Sequence, residues 1–302
     1  MQRLILSTTL CPGDVLTLTA AIKSLHDTYP DEYETDVRST VSEIWQHNPL
    51  ITPMRRGKGV KQIAMDYPLI NRSNQRPVPF LAGYTEHLGE RLGRPLTLTT
   101  NRPDLYLADD EKNWTSQVAE LGWSRPFWLI NAGQKTDFTA KQWPVESYQS
   151  VVDRTQGRIR WVQVGATEHD HPPLSGVIDL RGQTDHRQLI RLAWNAHGGI
   201  GGVSYLMHLL AAWQKPYICL LGGREPVSWV TYPQQQTLHT IGALDCCRFG
   251  GCWRSRVVPL DDDDSKNRSL CEYPITGLIK PVGQCMAMIR PESVIHALER
   301  YL

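Results

Sequence analysis

Between residues 127 and 221 short apolar runs recur, most of them separated by segments with helical spacing. That alternation leaves few architectures open, because consecutive βα units lay their strands parallel and bury them under helices on both faces. The chain therefore reads as α/β, with a doubly wound parallel sheet in its second half. Strands are predicted at 127–131, 159–164, 177–180 and 217–221. Helices are predicted at 109–121, 145–154, 185–196 and 204–213, with a glycine-rich turn, Gly198-Gly199-Ile200-Gly201-Gly202, ahead of the last.

The first half opens in the same way. Residues 3–9 form an apolar run, a turn follows at Cys11-Pro12-Gly13-Asp14, and Val15, Leu18, Ile22 and Leu25 then recur at helical spacing. Further strands are predicted near 35–39 and 63–66, and a helix at 79–92. Residues 93–108 have weak periodicity and two prolines, as an interlobe connection would. With 302 residues the chain is long enough for two cores. The expected division is residues 1–108 for one lobe and 109–290 for the other. Residues 242–290, rich in Cys, Gly, Pro and Asp, break the α/β pattern. A last helix at 291–302 begins on a proline, where a missing amide hydrogen is tolerated, and packing back on the first lobe is open to it.

Formal net charge is +1, which argues against a global field for nucleic acid or anionic membrane. One stretch is basic: Arg55, Arg56, Lys58, Lys61, Arg72 and Arg76, against Asp66 alone. It reads as a solvated loop or as a landing site for an anionic acceptor. No apolar run approaches the roughly 20 residues a membrane-spanning helix needs, and the N-terminal apolar segment is short for a signal peptide. A cytoplasmic location is expected, where the seven cysteines stay reduced.

Three places can carry chemistry. Asp14 follows Gly13 at a strand-to-helix turn, beyond the carboxyl end of a strand, where doubly wound sheets bind ligands. There it serves as a helix cap or as a general base for an acceptor hydroxyl. The segment NAGQKTDFTAKQW, residues 131–143, follows a strand, and Gly133, Gln134, Lys135 and Lys141 could meet a diphosphate. The third place is the glycine cluster before Ser204, together with Gly222-Gly223-Arg224-Glu225-Pro226 after the next strand. Glycines ahead of a helix let phosphate reach its amides. Trp143 and Trp229 flank this region and could pack against a base or sugar.

The segments GDVLTLTAAIKSL (13–25), KQWPVESYQSV (141–151) and GGVSYLMHLLAAWQKPYICLLGGREP (201–226) resemble glycosyltransferase family 9, the ADP-heptose:lipopolysaccharide heptosyltransferase relatives. The resemblance implies the GT-B architecture, two Rossmann-like doubly wound lobes with the donor held by the C-terminal one. It implies inverting transfer of heptose or another hexose-like sugar from a nucleotide-diphosphate sugar, an ADP-sugar first, to a hydroxyl acceptor, without a catalytic metal. By that likeness Asp14 is the base and Lys141 contacts donor phosphate. Gly13, Gly201, Gly202, Ser204, His208, Gly223, Arg224 and Glu225 fall on donor-binding positions. Ile200-Gly201-Gly202 and Val203-Ser204-Tyr205 stand where relatives carry Asp-Thr-Gly and Leu-Ser-His, and GGREP replaces a Gly-Pro-Thr turn.

Cys246, Cys247, Cys252, Cys271 and Cys285 lie within forty residues of one another. From Cys247 the intervening gaps are four, eighteen and thirteen residues. Four thiolates, Cys247, Cys252, Cys271 and Cys285, would make a closed tetrahedral site for structural zinc or iron, with Cys246 spare or exchanged for Cys247. The other reading is buried free thiols, as for Cys11 and Cys219. The segment also resembles the iron-binding cysteine segment of bacterial autotransporter heptosyltransferases. The acidic run 261–264 reads as a solvated loop. Two other functions use the same elements: a nucleotide-sugar epimerase or hydrolase, and a metal-stabilised scaffold without catalysis. The acceptor stays open between an anionic glycan, a protein and a nucleic acid, and an oligomer is compatible with all of these.

Overall fold

The computed structural model describes residues 1–65, 78–114, 116–123, 126–134, 139–252, 271 and 273–302. Two parallel sheets organise them. The first has the order β2-β1-β3, with β1 (Gln2–Ser7) between β2 (Tyr33–Arg38) and β3 (Val60–Ala64). Leu4, Ile5 and Leu6 on β1 are all sealed from solvent, as a central parallel strand requires. Helices α1 (Pro12–Thr28) and α2 (Phe80–Leu92) pack together beside it. Arg55, Arg56 and Lys58 are exposed in the crossover to β3, and Lys61 donates to the Arg91 carbonyl. Asp66, Arg72 and Arg76 lie outside the described residues, as does the acidic run 261–264.

Three hydroxyls explain the polar residues buried on α1. Thr19 Oγ1 accepts the Asp104 amide at 2.8 Å, Ser24 Oγ accepts the Thr99 amide at 3.0 Å, and Thr17 bonds its own helix. The connection between the sheets is thereby laced along α1.

The second sheet is six-stranded and parallel throughout, in the order β6-β5-β4-β7-β8-β9. The strands are β4 (Trp128–Asn131), β5 (Trp161–Gln163), β6 (Ile178–Asp179), β7 (Gly198–Gly202), β8 (Tyr217–Gly222) and β9 (Gln235–His239). Counted within the lobe this is the dinucleotide-fold order 3-2-1-4-5-6, whose direction reverses between β4 and β7. The crevice above that switch point is where such sheets bind ligands.

The glycine-rich turn predicted at 198–202 is in fact β7, at the centre of this sheet. Bulky neighbours fill the space its side chains would take. A Cβ on Gly198 would lie 2.7 Å from the Trp128 ring, and one on Gly201 would lie 2.7 Å from Tyr217 Oη and 2.9 Å from the Asn131 carbonyl. The helix predicted at 109–121 divides into α3 (Asp109–Lys112) and α4 (Gln117–Glu120), because Ser116 caps a new start by accepting the Ala119 amide. Helices α5 (Val145–Arg154), α6 (His186–Asn195), α7 (Tyr205–Ala212) and the short α8 (Val227–Val230) follow the predicted series. After β9 come β10 (Pro274–Ile275), β11 (Val282–Gly283) and α9 (Gln284–Ala287).

The final helix, α10 (Pro291–Leu298), does not return to the first lobe. Its Val294, Ala297 and Leu298 are buried with Trp128, Ile130, Tyr148 and Val151, and Arg154 pairs with Glu292. It thus packs on α5 and the second sheet.

Candidate active site

The two lobes meet at two helix N-termini. Pro12, Gly13 and Asp14 form the first turn of α1, and Ser204 precedes the first turn of α7. No side chain caps either helix, and each turns the positive end of its dipole toward the crevice; at α1 Pro12 has no amide hydrogen and the Asp14 amide donates to the Cys11 carbonyl at 2.9 Å. The turns touch: a Cβ on Gly13 would lie 3.2 Å from His208 Cδ2 and 3.7 Å from Tyr205 Cα. Glycine lets α1 come this close without displacing the ring.

Lys141 ends a 3₁₀ turn (Thr139–Lys141) in the loop after β4, on the switch-point side. Its ammonium lies 2.5 Å from Glu225 Oε1, and the same oxygen accepts from Arg224 Nη1 at 2.5 Å. Arg224 and Glu225 follow β8 and are 3% and 1% exposed. Burial pulls Lys141 below the ordinary lysine range, with the Glu225 carboxylate opposing. For Glu225, burial would raise the carboxyl, but Lys141 and Arg224 together outweigh it and hold it low. Asp14 also bears on Lys141 by its charge. The cluster formed by Lys141, Arg224, Glu225 and Asp14 is thus closely balanced in charge, in a place with little water to screen it.

His208, buried on α7, bonds Tyr232 Oη through Nδ1 at 2.7 Å. Burial, reinforced by the Lys141 charge, lowers its pKa to about 3. The ring is neutral across the physiological range.

The structure therefore gathers Gly13, Asp14, Lys141, Ser204, His208, Arg224 and Glu225 around one crevice. Gly201 and Gly202 belong to a strand; Gly202 sits at its carboxyl end, where a Cβ would meet Gln134 Nε2 at 2.7 Å. The loop of Gly133 and Gln134 is not a free phosphate cradle. The Gln134 amide donates to the Asp170 carbonyl at 3.1 Å, and a Cβ on Gly133 would lie 2.1 Å from that same oxygen. Its glycine admits the loop after β5. Lys135 is outside the described residues. Trp143 and Trp229 are core residues, 4% and 2% exposed; Trp143 donates to the Ile289 carbonyl and Trp229 stacks on Phe80.

Sequence reasoning missed Tyr232 and the lobe-bridging Arg187. Arg187 on α6 donates to Glu111, to the Glu43 carbonyl of the first lobe and to the Tyr106 carbonyl of the connection. Neither partner set has a periodic signal, since each spans a loop.

The cysteines crowd the Gly222–Gly223 turn beside this cluster. A Cβ on Gly223 would lie 3.0 Å from Cys247 Sγ and 3.3 Å from Cys285 Cβ; one on Gly283 would lie 3.4 and 3.5 Å from the sulfurs of Cys271 and Cys285. The Gly223 carbonyl accepts the Cys252 amide at 3.0 Å. Burial pushes the thiols of Cys252 and Cys285 up to about 12 and about 11. The donor set suits a soft ion. Among the described residues, however, no group of three or more His, Cys, Asp or Glu is placed to hold a metal. Cys247 Sγ instead faces the carbonyls of Leu244 and Thr240 at 3.3 and 3.5 Å. The closed four-thiolate site predicted from the sequence is not formed in this arrangement.

The family model of glycosyltransferase family 9 (heptosyltransferase) matches residues 92–247, more than half of the chain. The chain belongs to glycosyltransferase family 9. As a family 9 glycosyltransferase it is built for transfer from a nucleotide sugar. It is similar over 99% of its length to a glycosyl transferase family 9 structure from Veillonella parvula DSM 2008, at 15% identity and TM-score 0.68, covering 97% of that chain. It is similar over 99% to E. coli ADP-heptose LPS heptosyltransferase II, at 13% identity and TM-score 0.63, covering 98% of that chain. Over the same share it is similar to the iron-containing dodecameric glycosyltransferase TibC from enterotoxigenic E. coli H10407, at 16% identity and TM-score 0.65, covering 76% of that chain. These likenesses establish the GT-B fold of this glycosyltransferase. No curated protein matches its sequence.

Proposed function

We propose that this glycosyltransferase moves a sugar, a heptose or a hexose-like relative, from an ADP-sugar to a hydroxyl acceptor with inversion. The observation that carries the reading is the meeting of two uncapped helix N-termini with Lys141 and Asp14 at one crevice. A nucleoside diphosphate is the ligand whose charge fits the amides and the ammonium. A structure of TibC holds ADP-D-beta-D-heptose, which supports ADP as the nucleotide. The first lobe then offers the acceptor and the second the donor.

The reaction is a direct displacement. Asp14 takes the proton from the acceptor hydroxyl, and the freed oxygen attacks the anomeric carbon from the face opposite the leaving group. The bond to the diphosphate breaks, and Lys141 with the amides of the first turn of α7 stabilises the departing charge. Arg224 and Glu225 hold the ammonium in place. Isothermal titration with ADP-, UDP-, GDP- and dTDP-sugars tests the donor. ADP-sugar binding is expected to be tightest, and equal binding of all four overturns the nucleotide assignment.

A structural metal, iron or zinc, on Cys247, Cys252, Cys271 and Cys285 belongs to the same reading. It is supported by the approach of Cys247 and Cys285 to Gly223, of Cys271 and Cys285 to Gly283, and by the iron in TibC. Elemental analysis of the purified chain should return about one ion per chain, and a metal-free folded chain removes the assignment. Self-association is part of the reading too, TibC being dodecameric. No helix of the described residues is long and apolar enough to cross a membrane, and a cytoplasmic glycan, lipopolysaccharide or glycoconjugate pathway suits the donor.

A further inference from the structure

Asp14 stands on the first lobe, yet its turn rests on the second. The surface beneath Gly13 is the imidazole of His208, whose Cδ2 and Nε2 would lie 3.2 and 3.7 Å from a Cβ at that position. The opposite edge of the ring bonds Tyr232 Oη at 2.7 Å, with the two rings nearly perpendicular at 89°. Tyr232 and His208 are 4% and 5% exposed, so the pair is sealed.

We propose that Tyr232, acting through His208, positions the base-bearing turn of α1 for transfer. The inference rests on the reading of Asp14 as the base. A neutral imidazole carries one N–H, and which nitrogen holds it depends on the partner of the other. When the Tyr232 hydroxyl donates to Nδ1, the proton sits on Nε2, the edge turned toward the first turn of α1. The ring then cannot flip without losing its partner. Its N–H is presented to a turn that carries a carboxylate and whose Gly13 already lies in contact with it. Tyr232 is sealed behind His208 and acts through it; it is a positioning residue.

Volume alone does not account for the pair. Phenylalanine would fill the same space as Tyr232, so the hydroxyl is the element that distinguishes packing from positioning. Tyr232→Phe keeps the edge-to-face ring contact and removes only the bond to Nδ1, releasing the tautomer. His208→Gln keeps a donor near the Nε2 position and removes the need for Tyr232.

The test uses the full chain and ADP release from ADP-heptose as the readout. Tyr232→Phe is expected to lower kcat about tenfold, the scale of a misplaced general base, with KM for ADP-heptose unchanged and a melting temperature lowered only by the loss of one buried hydrogen bond. In a His208→Gln background, Tyr232→Phe is expected to add no further loss. Gly13→Ala, which sets a methyl 3.2 Å from the ring and shifts the turn against it, should lower kcat in the same direction even where Tyr232→Phe folds poorly. An unchanged kcat in Tyr232→Phe, a change confined to KM, or an additive loss in the double variant overturns the inference. If Asp14→Asn abolishes turnover while Tyr232→Phe does not alter it, this inference fails and the base assignment stands. If Asp14→Asn keeps full turnover, or wild type releases no ADP, the underlying reading fails and takes the inference with it.

Discussion

Lys141 Nζ stands 2.5 Å from Glu225 Oε1, with the two side chains 13% and 2% exposed. A buried ion pair of this kind owes its value less to its own attraction than to the penalty of breaking it, about 3–5 kcal/mol when one partner is removed. Glu225→Gln leaves the Lys141 ammonium beside Arg224 with only the weaker charge of Asp14 to oppose it, so burial pulls the lysine lower still. The variant should unfold at lower temperature. Its affinity for ADP-sugar should also fall as pH rises, because the ammonium is lost nearer neutrality. Calorimetric binding at about pH 6.5 and about pH 8.5 reads this; a pH-independent affinity equal to wild type sinks the role given to Glu225.

Arg187 ties the lobes. It donates to Glu111 Oε1 at 2.6 Å and, through its other nitrogens, to the carbonyls of Glu43 and Tyr106 at 3.1 and 2.9 Å. Arg187→Met keeps the aliphatic stem and removes these bonds, leaving the Glu111 carboxylate only the Ala108 amide and His47. A loss of about 3 kcal/mol in denaturant unfolding is expected. A variant as stable as wild type would show that the lobes are held by apolar packing alone.

Two histidines, His208 buried and His171 half-buried, bear on the acid limb of stability. Burial lowers His208 to about 3, the Lys141 charge adding to it, and burial lowers His171 to about 4, so both are neutral in the fold. The unfolded chain protonates them near the ordinary value of about 6.5. Below that pH the unfolded state binds more protons, and stability falls as pH falls. Melting temperature should begin to drop between about pH 6.5 and pH 5, before carboxylates titrate. A flat profile in that window contradicts the neutral rings.

The glycines of β7 are a packing requirement. Gly201→Ala sets a methyl 2.9 Å from the Asn131 carbonyl and 2.7 Å from Tyr217 Oη, and should destabilise by about 1–3 kcal/mol. Gly57→Ala meets nothing within 4 Å and serves as the neutral control. Equal melting temperatures for the two variants would remove this explanation of the glycine run.

The same glycines mark where sequence reasoning stops. Periodicity of 2 and 3.6 carries the βα order, and with it the placing of Asp14 after β1, Lys141 after β4 and Glu225 after β8. Composition cannot tell a glycine turn from a strand whose neighbours, Trp128, Leu210 and Tyr217, fill its empty positions. Nor can it tell where α10 docks, since an amphipathic helix fits either sheet. Tyr232 was invisible because its only signal is a bond across 24 residues to His208. The thiols were legible as a group by spacing, but not the turn of Cys247 toward backbone carbonyls.

The most direct measurement is turnover and donor binding by Asp14→Asn on the full chain. Asparagine preserves the volume and the helix start while removing the proton acceptor. The account predicts ADP-sugar affinity within about twofold of wild type and a fall in kcat of at least about 100-fold. Full turnover with unchanged affinity would contradict it, and would leave the crevice as a donor site whose base lies elsewhere.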